Sequence, residues 1–156
     1  MALSERAQAL GKISLFEGLG EAALEQLASI ASEESHKLGG FVFREGDAGD
    51  ALCLILSGKV RISREVAGMG EEALAILGPG ETFGEMSIID GAPRSADARV
   101  HERCSLLVIK KPDMEDLLFL NKDLAYELLW SWVRTLSSRL RETNDKMTFL
   151  SVTGKF

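Results

Sequence analysis

The chain has 156 residues and a net charge of −6; 46% of its residues are hydrophobic and 27% are charged. These are the values of one globular domain, and they exclude a disordered chain. The acidic balance predicts that the chain itself binds no nucleic acid, because neutralising phosphates requires clustered cations. With no apolar run of about 18 residues and no apolar N-terminal signal, we expect no membrane contact and a cytoplasmic location.

The whole chain, residues 1–156, is predicted to form a single domain of three blocks, and the first of them, residues 4–32, is helical. Leu24, Leu27 and Ala31 belong to an apolar series at helical spacing. Gly18 and Gly20 separate this helix from a shorter helical segment before it.

The second block, residues 33–111, is predicted to be built from strands and turns. Eleven of the 15 glycines lie between Gly39 and Gly91, and short β-rich runs lie between them, with one more run after them. These runs are 41–43, 52–56, 60–62, 74–77 and 106–109, with a hairpin tip at 68–70. Short strands at regular spacing with glycine turns favour an antiparallel β-jelly-roll, also called a double-stranded β-helix.

The third block, residues 112–150, is predicted to be helical again. Pro112 suits a first helical turn, the segment 121–123 interrupts the pattern, and a long helix follows to about Leu150. This helix carries a heptad seam at Leu129, Val133, Leu136, Leu140, Thr143, Met147 and Leu150. The seam predicts a parallel homodimeric coiled coil, and the alternative is packing within the chain alone. Tyr126, Trp130 and Trp132 form a second apolar face that we expect to pack on the barrel.

Cysteine and histidine are scarce. Cys53 and Cys104 lie far apart in the sequence, which excludes a disulfide framework and a four-thiolate cluster, and we expect two buried thiols on strands. His36 and His101 are too few for the several-histidine metal sites of small β-barrel enzymes, so no metal site is predicted.

The most informative segment is 80–97, which combines a glycine-rich approach, a short helix over Glu85–Ile89 and a turn that presents Arg94 and Ser95. Gly84 opens the helix, whose first N–H groups favour an anion. Arg94 offers a planar fork of donors for phosphate oxygens, and we expect it on a loop outside the core. Glu85 would repel a phosphate unless it accepts hydrogen bonds from sugar hydroxyls. The pattern therefore predicts a ligand with both an anion and hydroxyl groups.

This segment resembles the phosphate-binding cassette of the cyclic nucleotide-binding domain family. The matching residues are Gly80, Glu81, Phe83, Gly84, Glu85, Met86, Ser87, Pro93, Arg94, Ser95 and Ala96, and a second similar segment spans 45–62. The resemblance implies a β-jelly-roll with helices before and after it, and the last helix resembles the dimer helix of bacterial catabolite activator proteins.

The resemblance also implies roles for individual residues. Arg94 would neutralise a cyclic phosphate, Glu85 would accept from the ribose 2′-hydroxyl and Ser95 would donate to a phosphate oxygen. Backbone N–H groups around Gly84, Glu85 and Met86 would complete the cradle. The remaining ligand-binding positions are Phe83, Ser87 and Ala96 in the cassette, Ile62 and Leu74 as walls near the base, and Thr143 and Asn144 against the adenine, one of them from the partner subunit.

These expectations define a cyclic nucleotide sensor that acts as a switch through its C-terminal helix and is not an enzyme. Cyclic AMP is the expected ligand, and cyclic GMP is possible. A dimeric interaction module that signals without nucleotide is one alternative. Another is the sensor half of a helix-turn-helix regulator, although the sequence ends at Phe156 without room for a recognition helix. A metal-dependent barrel enzyme is disfavoured by the two dispersed histidines.

Overall fold

The structure, a computed structural model, describes residues 1–153, so residues 154–156 of the predicted domain lie outside the described part. The helices are α1 (Leu3–Gly11), α2 (Glu21–Ser29), α3 (Glu85–Asp90), α4 (Lys111–Leu120) and α5 (Lys122–Thr153), with a 3-10 helix at Ser14–Phe16. The strands are β1 (Ala31–His36), β2 (Phe41–Phe43), β3 (Ala51–Val66), β4 (Gly70–Leu77), β5 (Thr82–Phe83) and β6 (Asp97–Lys110).

The six strands form one antiparallel sheet whose central path runs β1-β6-β3-β4. β2 pairs with β6, and β5 pairs with β3, so the two long strands carry the rest of the sheet. The predicted fold class, mainly antiparallel β-structure with helices before and after it, is confirmed. The short helix predicted at Glu85–Ile89 and the hairpin tip at 68–70 are also observed.

Gly58 was expected to end one strand and begin another, but β3 runs through it without a turn. The pairing between β3 and β6 shifts register on both sides of Gly58, which marks a β-bulge. A Cβ atom at this position would lie 2.1 Å from the carbonyl oxygen of Arg103, and φ is 82°. Glycine here permits the close approach of two paired strands rather than a chain reversal.

The helical block ends earlier than the predicted boundary at residue 32. α2 stops at Ser29, and Ala31 and Ser32 already belong to β1, which pairs with β6 from Ile109 back to Cys104. β1 has a polar sequence in which Ala31 alone is buried. The hydrogen bonds of β1 come from a partner strand far along the chain, so the β-propensities of its own residues did not predict this strand.

The core has two parts. One lies among the strands and includes Cys53, Cys104 and Phe83, and the other joins the N-terminal helices to α3, α4 and α5. Both cysteines are buried on strands, as predicted. Burial raises the pKa of the Cys53 thiol to about 12, so this thiol stays neutral at physiological pH.

α5 presents two different faces. Leu124, Leu128 and Trp132 are buried against the rest of the domain, together with Ser131. Tyr126 is 67% exposed and Trp130 is 48% exposed, so the prediction that they pack on the barrel is wrong. Tyr126 precedes Leu129 by three residues, which places it on the side of the heptad seam rather than on the buried side.

Within residues 1–153, no helix combines the length and the apolar character needed to cross a membrane.

Candidate functional site

A cavity of about 380 Å³ opens between the strands, α3 and the loop that follows α3. It brings together nine of the predicted ligand-binding residues: Ile62, Phe83, Gly84, Glu85, Met86, Ser87, Arg94, Ser95 and Ala96. Leu74, Thr143 and Asn144 are not among the residues that line it. The cavity is therefore built almost entirely by the cassette, with β2 and β3 forming the wall behind it.

Arg94 is the buried cation of this cavity, with 5% of its surface exposed. Its guanidinium lies 4.1 Å from the centroid of the Phe43 ring, and its Nη2 donates a hydrogen bond of 2.8 Å to the carbonyl oxygen of Ala51. Among the residues that the structure describes, Nε and Nη1 of Arg94 have no hydrogen-bond partner although both are buried. The expectation that Arg94 lies outside the core is wrong.

The backbone of Arg94 is fixed by the loop between β2 and β3. Its N–H donates to the carbonyl oxygen of Asp47, and its carbonyl accepts from the N–H of Gly46, both at 2.8 Å. The two backbone bonds thus fix the backbone of Arg94, while the Phe43 ring and the carbonyl oxygen of Ala51 hold its side chain. A buried guanidinium with two unpartnered nitrogens is a strong donor site for an anion.

Gly84 leaves the space in front of Arg94 open. It directly precedes α3 and has a φ of 79°, a backbone conformation that residues with a side chain rarely adopt. A Cβ atom here would lie 2.6 Å from Nη1 of Arg94 and 2.6 Å from the carbonyl oxygen of Ala51. Any side chain at this position would therefore collide with the guanidinium that the cavity presents.

Glu85 begins α3 and connects the cassette to α5. Its carboxylate lies 3.5 Å from Nη1 of Arg139, and 21% of the Glu85 side chain is exposed. Arg139 also donates from Nη2 to the hydroxyl of Ser14, at 3.2 Å, and lies near the sulfur of Met86. The carboxylate keeps an exposed portion that can accept hydrogen bonds from ligand hydroxyls.

Arg139 is a site residue that sequence reasoning did not assign. It lies on α5, one turn before Thr143, whereas Glu85 lies on α3, so the spacing in the sequence gave no sign of the contact. Phe43 was also missed, because a lone aromatic residue in a strand looks like an ordinary core residue.

The strand positions near the base differ from the expectation for Leu74. Ile62 lines the cavity and pairs with Ala75 across the β3–β4 ladder. The register of this ladder shifts beside Leu74, whose side chain is 52% exposed. Because directly paired residues share a face of a sheet, Ala75 rather than Leu74 lies next to Ile62.

Thr143 and Asn144 lie on an exposed part of α5. The hydroxyl of Thr143 donates a hydrogen bond of 2.9 Å to the carbonyl oxygen of Arg139. Its oxygen can still accept a hydrogen bond, so the residue remains able to contact a donor group.

The side chains of residues 1–153 include no cluster of three or more His, Cys, Asp or Glu residues that could hold a metal ion. The cavity offers the Arg94 guanidinium, backbone N–H groups and hydroxyls as donors, and the carboxylates that line it are those of Glu85 and Asp90. This set suits an organic anion with hydroxyl groups better than a bare ion.

Comparison with known proteins gives relatives that include two transcriptional regulators. The cyclic AMP receptor protein of Thermus thermophilus is 38% identical over 137 residues, which cover 88% of this chain and 62% of that protein. A CRP-like cAMP-activated global transcriptional regulator of Mycobacterium tuberculosis is 31% identical over 144 residues, which cover 92% of this chain and 62% of that protein. The chain thus spans less than two thirds of either relative.

A solved structure gives the same result. The N-terminal domain of a transcriptional regulator from Streptomyces coelicolor superimposes with a TM-score of 0.78 and is 32% identical; the match covers 89% of this chain and 94% of that one. The model of the cyclic nucleotide-binding domain matches residues 33–121, which contain the cassette with Arg94 and all of the sheet except the first two residues of β1. This match extends over more than half of the sequence, and the chain belongs to the cyclic nucleotide-binding domain family.

Proposed function

We propose that this chain is a cyclic nucleotide sensor whose preferred ligand is cyclic AMP. The observation that carries the proposal is Arg94, which is buried in the cavity with Nε and Nη1 unpartnered among the described residues. A cyclic phosphate has one negative charge and two exocyclic oxygens, which match those two donors. Glu85, beside the opening left by Gly84, would accept from the ribose 2′-hydroxyl, and Ser95 would donate to a phosphate oxygen.

The choice of cyclic AMP over cyclic GMP rests on two arguments. The names of both regulators above refer to cyclic AMP. Thr143 and Asn144 would supply acceptors for the amino group of adenine if a partner subunit or a shift of α5 brings them over the cavity. Cyclic GMP presents a carbonyl oxygen at the same place and would lose this bond.

We further propose that binding acts as a switch through α5 and that the chain catalyses no reaction. Glu85 lines the cavity and also contacts Arg139 of α5. A ligand that binds to Glu85 would therefore have a different affinity for each of two positions of α5, and its binding would shift the balance between them. The exposed seam residues Leu129, Val133 and Leu140 would pair with those of a second copy. Because the Mycobacterium relative is named a transcriptional regulator, we propose a cytoplasmic site of action.

The test is calorimetric titration of the purified protein with cyclic AMP, cyclic GMP and linear 5′-AMP. We expect binding of cyclic AMP, weaker binding of cyclic GMP and the weakest binding of 5′-AMP, whose phosphate lacks the ring geometry and carries more charge. Absence of heat with both cyclic nucleotides would favour the nucleotide-independent interaction module. Equal affinity for the cyclic and linear monophosphates would mean that the cavity is a general phosphate site.

Thr143→Ala should weaken binding of cyclic AMP by roughly 0.5–1.5 kcal/mol, the value of one neutral hydrogen bond, and should leave cyclic GMP binding nearly unchanged. The measurement is a pair of titrations on the same preparation. Thr148→Ala is the matched control, since Thr148 is another exposed threonine on α5. An equal loss for the two nucleotides, or no loss for either, would place the base contact elsewhere.

A second candidate is the sensor part of a longer helix-turn-helix regulator. The 62% coverage of both regulator relatives and the match to the N-terminal domain of a regulator are consistent with it. Sequencing the natural reading frame past Phe156 decides between the two, because a recognition helix would have to follow α5.

A further inference from the structure

Lys111 lies at the junction between the sheet and the C-terminal helices. It is the first residue of α4 and follows directly on β6. Its backbone N–H donates a hydrogen bond of 2.7 Å to the carbonyl oxygen of Asp50, just before β3. The backbone of Lys111 is therefore tied to the sheet, and its side chain starts from a fixed point.

The ammonium group of Lys111 reaches the C-terminal end of the cassette helix α3. Nζ lies 3.2 Å from the carbonyl oxygen of Ile88 and 3.3 Å from that of Ile89. It also lies 3.2 Å from a carboxylate oxygen of Glu115, one turn further along α4. The side chain is 24% exposed, so these contacts are only partly screened by water.

The last carbonyl groups of a helix have no partner within the helix, and a cation placed there hydrogen-bonds them and interacts favourably with the helix dipole. α3 has six residues, with Gly84 and Arg94 at its start and Lys111 at its end. In so short a helix, displacement of the C-terminal end also displaces the first N–H groups. The packing of the buried Ile88 side chain restrains α3, but it does not satisfy these carbonyl groups.

We propose that Lys111 is a positioning residue for nucleotide binding: it caps the C-terminal end of α3, holds the start of that helix in front of Arg94 and couples the cassette to α4. This inference rests on the proposed nucleotide-binding function. The simpler alternative is that Lys111 serves only its pair with Glu115, which is a common surface arrangement of residues four apart and contributes little.

Four variants separate these roles. Lys111→Met removes the charge and keeps the length of the side chain; Lys111→Arg keeps a cation able to reach the carbonyl groups. Glu115→Gln removes only the ion pair, and Lys110→Met removes the neighbouring exposed lysine as the matched control. Each variant is titrated with cyclic AMP, and amide hydrogen exchange is measured on the ligand-free protein.

We expect Lys111→Met to raise the dissociation constant for cyclic AMP about fivefold to tenfold, which corresponds to roughly 1–1.4 kcal/mol. Exchange should speed up at residues 88–91, including the Gly91 amide that donates to Ser87, and remain unchanged in β3 and β6. Lys111→Arg should restore most of the affinity. Glu115→Gln and Lys110→Met should each change the affinity less than about twofold, within 0.5 kcal/mol.

Affinity within twofold of the unsubstituted protein for Lys111→Met would overturn the inference. So would faster exchange across the whole sheet without recovery in Lys111→Arg, because that result describes general destabilisation. A loss in Glu115→Gln equal to that in Lys111→Met would assign the effect to the ion pair. If the unsubstituted protein binds neither cyclic nucleotide, the proposed function fails as well; normal binding together with an unaffected Lys111→Met overturns this inference alone.

Discussion

Arg94→Ala should weaken cyclic AMP binding about 30-fold to several-thousand-fold, because truncating one partner of a buried charge pair costs about 2–5 kcal/mol. No other Lys or Arg occurs between Arg64 and Arg99, so the cassette offers no replacement. The carboxylates of Glu85 and Asp90, which line the cavity, oppose an anion there. Backbone N–H groups can solvate the phosphate in part, but they carry no net charge. Titration of the variant with cyclic AMP measures the loss.

Matched variants separate the charge from the packing. Arg94→Lys should recover little affinity, because an ammonium lacks the planar fork. Arg94→Met fills the space over the Phe43 ring without a charge and should bind as weakly as Arg94→Ala. The control is Arg99→Ala, which removes an arginine that pairs with Glu71 on the sheet, and it should bind normally.

The ligand-free melting temperature should change little in Arg94→Ala. The variant loses the bond to Ala51, but it no longer buries two nitrogens without partners, and these effects oppose each other. A loss of affinity below about fivefold, or about 1 kcal/mol, with an unchanged melt would contradict the phosphate-cradle proposal.

Val133→Asp combined with Leu140→Asp should convert a dimer into monomers. Val133 is 55% exposed and Leu140 is 61% exposed in the single chain, so neither substitution disturbs the domain core. In a coiled coil both positions are buried, and an unpaired carboxylate there costs about 3–5 kcal/mol. Sedimentation velocity at micromolar concentration measures the change in mass.

The control for this pair is Ser138→Asp with Thr148→Asp, which adds the same charge at exposed positions away from the seam. The control should remain dimeric. A monomeric unsubstituted protein would contradict the coiled-coil prediction, and a dimer that survives the double substitution would place the interface on another surface.

The parts of the site that sequence analysis predicted are those that are continuous along the chain. The cassette depends on glycine, acid and arginine in a fixed order, so the local pattern carries the chemistry. α4 and α5 follow from Pro112 and from the interruption at Asn121, whose side-chain oxygen accepts from the N–H of Leu124. These signals act over a few residues and survive without tertiary information.

The parts that sequence analysis missed are set by contacts between distant segments. β1 is polar and becomes a strand only because β6 supplies its hydrogen bonds. Arg139 meets Glu85 across 54 residues of sequence, and the burial of Arg94 depends on a ring from β2. Such contacts depend on how strands and helices are brought together, which no local pattern specifies.

In the proposed complex, the ligand and Arg139 of α5 share the carboxylate of Glu85. A ribose hydroxyl that draws Glu85 away from Arg139 also weakens the attachment of α5 to the cassette. Thermodynamic linkage is reciprocal. The free energy by which ligand binding weakens the contact between Glu85 and Arg139 equals the free energy by which that contact weakens ligand binding. A substitution on α5 far from the cavity can thus tune the nucleotide concentration to which the domain responds, while every atom that touches the nucleotide stays the same.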